Sequence, residues 1–316
     1  MLRRTLTLAV AAILVIAGCS QDDAATRVRQ TARSQQRGGV HETLKLIPIL
    51  LLALAMTGCG VESFDVTTTV ISHESTQEIS VWAPEGEGPW PIAIAIHGAD
   101  LSRNDLAATA EGLASRGVVV FAADWQPQSI EQDLECATRY ALSVAADYGG
   151  DVAQPFTFIG HSAGAIAGVE GGLNETAYGP DGTYQACFTG RPMPDVIVAI
   201  SGCYYESEGQ SYPFGISRYS NNDADLVLVA GTEDQICEPW QSQDAAETLR
   251  AGGYSVDLVE IQDANHNTVI YHDCEGRPAG APSFCVEGDE RLTLPDDPAG
   301  NQVVESIFDS IQAAQE

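Results

Sequence analysis

The sequence predicts an α/β fold, with a mostly parallel central sheet of about eight strands and helices on both faces. Short apolar runs alternate with segments of helical period along residues 60–316. Runs such as PIAIAI, GVVVFAA and DLVLVA are apolar throughout rather than at alternate positions, as strands covered on both faces require. No Pro/Gly-rich linker divides this stretch, so a single domain over 60–316 is expected. With 316 residues and 44% hydrophobic content, the chain can bury a large core.

Each element has a local reason. FDVTTTVIS (64–72) and QEISVWAP (77–84) are rich in β-branched residues and read as an antiparallel start. PWPIAIAIHGAD (89–100) holds an apolar strand that stops at His97-Gly98. RNDLAATAEGLASRG (103–117) reads as a helix stopped by glycine, and GVVVFAAD (117–124) as the next strand. IEQDLECATRYALSVAADYGG (130–150) sets Leu134, Tyr140, Ala141 and Val144 at helical spacing. PFTFIG (155–160) is a strand, followed by SAGAIAGVEGGL (162–173), a helix of small residues. The polar, irregular stretch 174–194 reads as an excursion over the top of the sheet. DVIVAISG (195–202), ADLVLVAG (224–231) and YSVDLVEIQ (254–262) are further strands. PWQSQDAAETLRAGG (239–253) is a helix opened by proline and ended by glycine. GNQVVESIFDSIQAAQ (300–315) closes the chain as an amphipathic helix.

Residues 1–59 are expected to lie outside this fold. In MLRRTLTLAVAAILVIAGCS (1–20), Arg3 and Arg4 precede an apolar run that is short for a membrane span. It ends in Ile16-Ala17-Gly18-Cys19 and resembles a bacterial lipoprotein signal peptide, which implies lipidation of Cys19. HETLKLIPILLLALAMTGCG (41–60) repeats the pattern and ends in Met56-Thr57-Gly58-Cys59. Translation from near Val40 would make Cys59 the lipidated residue. A start at Met1 would make it Cys19 and leave the second run associated with the membrane. Either reading implies an exported protein tethered by lipid to the bacterial outer membrane or cell surface, or facing the periplasm.

Composition narrows the partners. From residue 60 on, 41 acidic residues stand against eight arginines and no lysine, a formal net charge of −33 with histidine neutral. Such a surface stays solvated and lacks the cations that phosphate contacts need, so nucleic acid is excluded as a partner. A monomer is expected. Six cysteines follow Cys59, an even number in an oxidising compartment, and three disulfides are expected. Cys274 and Cys285 bracket a Gly/Pro-rich loop. Cys203 and Cys237 each follow a strand end, which leaves Cys136 with Cys187. No CxxC spacing is present, so a structural metal is not expected.

The chemistry-bearing segment is Gly160-His161-Ser162-Ala163-Gly164. It fits G-x-S-x-G and lies between a strand and a helix, the context that motif requires. The turn is tight, small residues clear space around it, and the serine is held at a helix N-terminus. Serine is a weak nucleophile that needs a base and an orienting acid. Asp234 and Glu233 lie in the loop after strand 224–231, and His266 lies in DANHNTVI after the last strand, giving the order Ser, acid, His.

Across nearly all of 60–316 the chain resembles the α/β-hydrolase family. Its closest branches are the serine esterase, dienelactone-hydrolase-like and polyester-hydrolase-like ones. The resemblance implies an α/β-hydrolase fold and a carboxylic ester hydrolase working through an acyl-enzyme. Ser162, Asp234 and His266 match the family's catalytic positions. Glu233 and Asp263 are the alternative acids and His272 the alternative base. His161 is expected to support the turn or line the pocket. The oxyanion donors would be the N–H of Ala163, after the nucleophile, and that of Ala99, after His97-Gly98. Asp100 departs from the family pattern and reads as a shaper of the pocket mouth or a cap for the helix near Arg103. The resemblance calls for no metal or organic cofactor.

Trp125, Tyr204, Tyr205 and Trp240 fall on loops at the C-terminal edge of the strands, where open α/β sheets bind ligands. They are candidate lining for a cleft that takes a small-molecule or polymeric ester. A lactonase, thioesterase or peptidase would share these motifs. A surface-binding lipoprotein without catalysis is the non-enzymatic alternative.

Overall fold

The structure is a computed structural model. It describes residues 63–72, 78–126, 129–173, 193–205, 222–266, 270 and 298–315, all within the compact unit Ser63–Glu316. Cys19, Cys59, Cys187, Cys274, Cys285, His272 and most of the 174–194 excursion lie outside the described residues.

Eight strands form one sheet. They are β1 (Val66–Ser72), β2 (Glu78–Pro84), β3 (Ile92–Ile96), β4 (Val119–Ala123), β5 (Phe156–His161), β6 (Val196–Ile200), β7 (Asp225–Gly231) and β8 (Val256–Ile261). Their order is β1-β2-β4-β3-β5-β6-β7-β8. β1 pairs antiparallel with β2, and β2 antiparallel with β4, so the expected antiparallel start is present. From β4 to β8 every neighbouring pair is parallel. β3 and β5 lie side by side, with Ile96 opposite Gly160. The loop after β3 therefore runs beside the loop after β5.

The helices are α1 (Ala107–Ala114), α2 (Ile130–Val144), α3 (Ala163–Leu173), α4 (Pro239–Ala251) and α5 (Pro298–Ala313). Because side chains alternate across a strand, each strand feeds two layers. Ala93, Ala95, Val120, Ala122, Val198 and Ile200 bury against Leu113 of α1 and Val304 and Ile307 of α5. On the other face, Ile92, Ile94, Val119 and Phe121 meet Leu134, Ala137 and Ala141 of α2. Ile197, Ala199, Leu226 and Leu228 meet Val169 of α3 and Leu249 of α4. Each fully buried leucine or isoleucine contributes about 1.5–3 kcal/mol.

The helix expected over 103–117 starts differently from the sequence reading. Its first turn, Arg103–Leu106, is a 3-10 helix, and the α-helix proper begins at Ala107. The Asp105 carboxylate accepts the Ser102 N–H (2.6 Å) and the Ser102 hydroxyl (3.0 Å), which tightens that turn. The cap is thus Ser102 with Asp105 rather than Asp100, which is exposed and left-handed at φ 58°. Among the described residues no helix is long and apolar enough to cross a membrane.

Candidate active site

Ser162 stands alone between the end of β5 and the first residue of α3. Its φ is 55°, a left-handed conformation that costs a non-glycine residue energy and marks a constrained turn. The turn is held from both sides. The Ser162 N–H donates to the Ile200 carbonyl (2.9 Å), and the Ser162 carbonyl accepts the Ala165 N–H (3.0 Å). The small flanking residues answer a backbone-on-backbone approach. A Cβ on Gly160 would sit 2.2 Å from the Gly164 carbonyl oxygen. One on Gly164 would sit 2.4 Å from the Ile96 oxygen and 2.5 Å from the His97 oxygen.

The loops after β7 and β8 bring Asp234 and His266 together. The Glu233 N–H donates to the Ala264 carbonyl (2.9 Å), and the Asp263 N–H to the Thr232 hydroxyl (2.9 Å), lacing the two loops. Within that frame the His266 Nδ1–H donates to Asp234 Oδ2 at 2.8 Å, both residues being buried. The other carboxylate oxygen, Oδ1, accepts the N–H groups of Ile236 (2.8 Å) and Cys237 (2.9 Å). Burial works to raise the Asp234 carboxyl, but the His266 contact and the two backbone donors outweigh it. They hold the carboxyl below the ordinary carboxylate range. Glu233 and Asp263, the alternative acids, are both exposed.

His161 reaches across to the same loop. A carbonyl only accepts, so the His161 Nε2–H donates to the His266 backbone oxygen at 2.8 Å. Its ring centroid is 4.7 Å from that of His266. His161 is fully buried, so it supports the site from beneath rather than lining it. The hydroxyl of Ser162 and Nε2 of His266 have no hydrogen bond to each other among the described residues.

The loop after β3 closes on the elbow. A Cβ on Gly98 would lie 2.9 Å from Ser162 Cβ, so glycine is what allows this approach. Ala99 follows and is exposed, while Ala163 opens α3, where backbone N–H groups lack intrahelical acceptors.

Of the four aromatic residues expected at a cleft, two are elsewhere. Tyr204 and Tyr205 are buried in the core beside Leu226 and Leu249, the correction being largest for Tyr204, which is fully buried. Its ring covers Gly202, where a Cβ would lie 2.4 Å from Cζ, and burial pushes its phenol well above the ordinary value. Tyr205 donates its hydroxyl hydrogen bond to Asp244, and its ring stacks on Trp240 at 5.2 Å. A tyrosine after a strand reads the same in sequence whether it turns outward or under the next helix. Trp240 and Trp125 are half-buried; the Trp240 indole donates to Glu238 (2.8 Å).

The structure joins Cys203 to Cys237, the pairing expected from the two strand ends. This ties the loop after β6 to the turn whose N–H groups hold Asp234. A cross-link closing 34 residues contributes on the order of 3–4 kcal/mol by chain entropy. Cys136 is also disulfide-bonded. Among the described residues no group of three or more His, Cys, Asp or Glu side chains is placed to hold a metal ion.

Sequence reading missed a charged brace at the same edge. The Arg103 guanidinium donates to Asp124, to Glu78 (2.6 Å) and to the Ser80 hydroxyl (2.9 Å), and the Arg103 N–H donates to Asp124 (2.8 Å). The available signal was rarity, since Arg103 is one of only eight cations after residue 60.

The chain matches no protein-family model and no curated protein. Solved structures do match. A truncated carbohydrate esterase from gut microbiota has a TM-score of 0.57 at 15% identity, covering 81% of this chain and 98% of that one. Propionate-bound esterase Est2 from Thermogutta terrifontis has a TM-score of 0.57 at 15% identity, covering 80% and 95%. Carboxyl esterase 2 from Tuber melanosporum has a TM-score of 0.54 at 14% identity, covering 80% and 89%. At such identities the likeness is one of fold, and the fold is that of the α/β-hydrolases.

Proposed function

We propose that the protein is a serine hydrolase that cleaves carboxylic esters through Ser162, His266 and Asp234. The observation that carries this reading is the joint one of a strained serine elbow and a buried Asp234–His266 pair at the same sheet edge. His266, with Nδ1–H committed to Asp234, has a basic Nε2 to accept the Ser162 proton as Oγ attacks the ester carbonyl. The N–H groups of Ala163 and Ala99 receive the oxyanion. The alcohol leaves with the proton from His266. A water then loses its proton to His266 and attacks the acyl-enzyme carbonyl; as the Ser162 ester bond breaks, His266 returns that proton to Oγ and the acid is freed. Asp234 fixes the imidazole tautomer and stabilises its charged form.

Support for esters over other acyl compounds comes from the fold's neighbours, which are described as esterases. The tandem cysteine-terminated apolar runs support export and lipid tethering at Cys59 or Cys19, which would set the domain against soluble esters or exposed polymers. A panel of p-nitrophenyl esters of rising chain length, with a polyester film and a peptide alongside, tests the reaction class. Ester hydrolysis is expected, with kcat about 10^6-fold lower in Ser162→Ala. Cleavage of the peptide alone, or ester turnover retained by Ser162→Ala, contradicts it.

A further inference from the structure

We propose that His97 and Trp125 are positioning residues that aim the Ala99 N–H at the developing oxyanion. The proposal rests on the reading of Ser162 as nucleophile and adds two residues to that site. The Gly98 carbonyl can only accept, so the contact at 2.7 Å is a hydrogen bond from the His97 Nδ1–H. The same oxygen accepts the Leu101 N–H at 3.3 Å. The peptide between Gly98 and Ala99 is planar and trans, so its C=O and N–H point to opposite sides. Drawing the Gly98 oxygen toward the His97 ring therefore turns the Ala99 N–H to the other side. That peptide lies against the nucleophile, as the 2.9 Å from a Gly98 Cβ to Ser162 Cβ requires.

Trp125 fixes His97 through both its backbone and its ring. The indole N–H donates to the His97 carbonyl (2.9 Å), and the two rings stack at 5.2 Å with 18° between planes. Asp124 precedes Trp125 and is clamped by Arg103, which also grips Glu78 and Ser80 of β2. The brace thus runs from β2 through β4 to the loop after β3.

The imidazole does more here than fill space. His97 is buried, and its Nε2 stands 3.6 Å from Asp124 with no hydrogen-bond partner among the described residues. Burial holds its pKa below the ordinary value. With the proton on Nδ1, the ring leaves Nε2 unpaired, an arrangement that costs energy and is explained if the Nδ1–H contact to Gly98 is the one the site needs.

The test compares His97→Phe, His97→Asn and Trp125→Phe in the full-length, oxidised protein. Phenylalanine keeps the stack but loses the donor, while asparagine places an N–H near the position of Nδ1. On p-nitrophenyl acetate, His97→Phe is expected to lower kcat by about 10- to 100-fold, with KM within about threefold of wild type. Affinity for a trifluoromethyl ketone, which mimics the oxyanion, is expected to fall by the same factor. His97→Asn is expected to recover at least about tenfold of the loss, and Trp125→Phe to lose about fivefold in kcat. A kcat and ketone affinity within about threefold of wild type in His97→Phe overturn the proposal. So does a His97→Asn variant no better than His97→Phe. Should His97→Phe fail to fold, Trp125→Phe decides, and wild-type kcat and ketone affinity there overturn the proposal. Ser162→Ala separates the two levels. If it stays active, the site reading itself fails; if it is dead while His97→Phe is normal, only the positioning roles fail.

Discussion

Asp234→Asn is expected to lower kcat by about 10^4-fold while the protein stays folded. The asparagine is isosteric and still offers an oxygen to the N–H groups of Ile236 and Cys237, which now hold Oδ1. Its NH2 group then faces His266 Nδ1, where the carboxylate Oδ2 accepts at 2.8 Å. Two donors cannot share that contact, so His266 takes the other tautomer, with its proton on Nε2 and no lone pair for the Ser162 hydroxyl. The folding cost is smaller, about 1–2 kcal/mol for the lost charge-assisted bond. Steady-state kinetics with a urea midpoint on the same sample check both halves. A kcat within tenfold of wild type would remove Asp234 from the site and return attention to Glu233 or Asp263.

The second large effect is structural. Gly164→Ala is expected to destabilise the fold by about 3 kcal/mol or more, because its Cβ would meet the backbone oxygens of Ile96 and His97 at 2.4 and 2.5 Å. Those atoms belong to the end of β3 and the loop after it, which cannot yield like the tip of a flexible side chain. Gly168, one turn further along α3, is the control. A Cβ there meets nothing within 4 Å, so Gly168→Ala is expected to stabilise by about 0.5–1 kcal/mol through helix propensity. Thermal melts separate the pair, with a drop of about 6–12 °C for Gly164→Ala and a small rise for Gly168→Ala. Equal melting temperatures would mean that α3 can shift away from β3.

What the sequence made legible follows from how each feature is encoded. The strands were readable because parallel strands covered on both faces are apolar throughout, as in Ile92–Ile96 and Val119–Ala123. The elbow was readable because close backbone approach demands glycine at 160 and 164, a constraint written into residue type. Asp234 was framed by Gly231 and Pro239, the end of β7 and the start of α4. Long-range side-chain partners left no such mark. Nothing in the letters pairs His161 with the carbonyl of His266, 105 residues on, or Arg103 with Glu78. Trp125 read as a candidate cleft residue, yet its indole is committed to His97. Tyr204 and Tyr205 read as cleft residues for the same reason. Sequence places a residue at a strand end, but only the packing of α3 and α4 decides which way it turns.

The proposed mechanism requires Ser162 to be an activated nucleophile. A fluorophosphonate probe applied to the full-length, oxidised protein tests it most directly, with the modified peptide identified by mass spectrometry. One labelled site is expected, at Ser162, on wild type and none on Ser162→Ala. A folded wild-type protein that takes up no label, or label retained by Ser162→Ala, would contradict it.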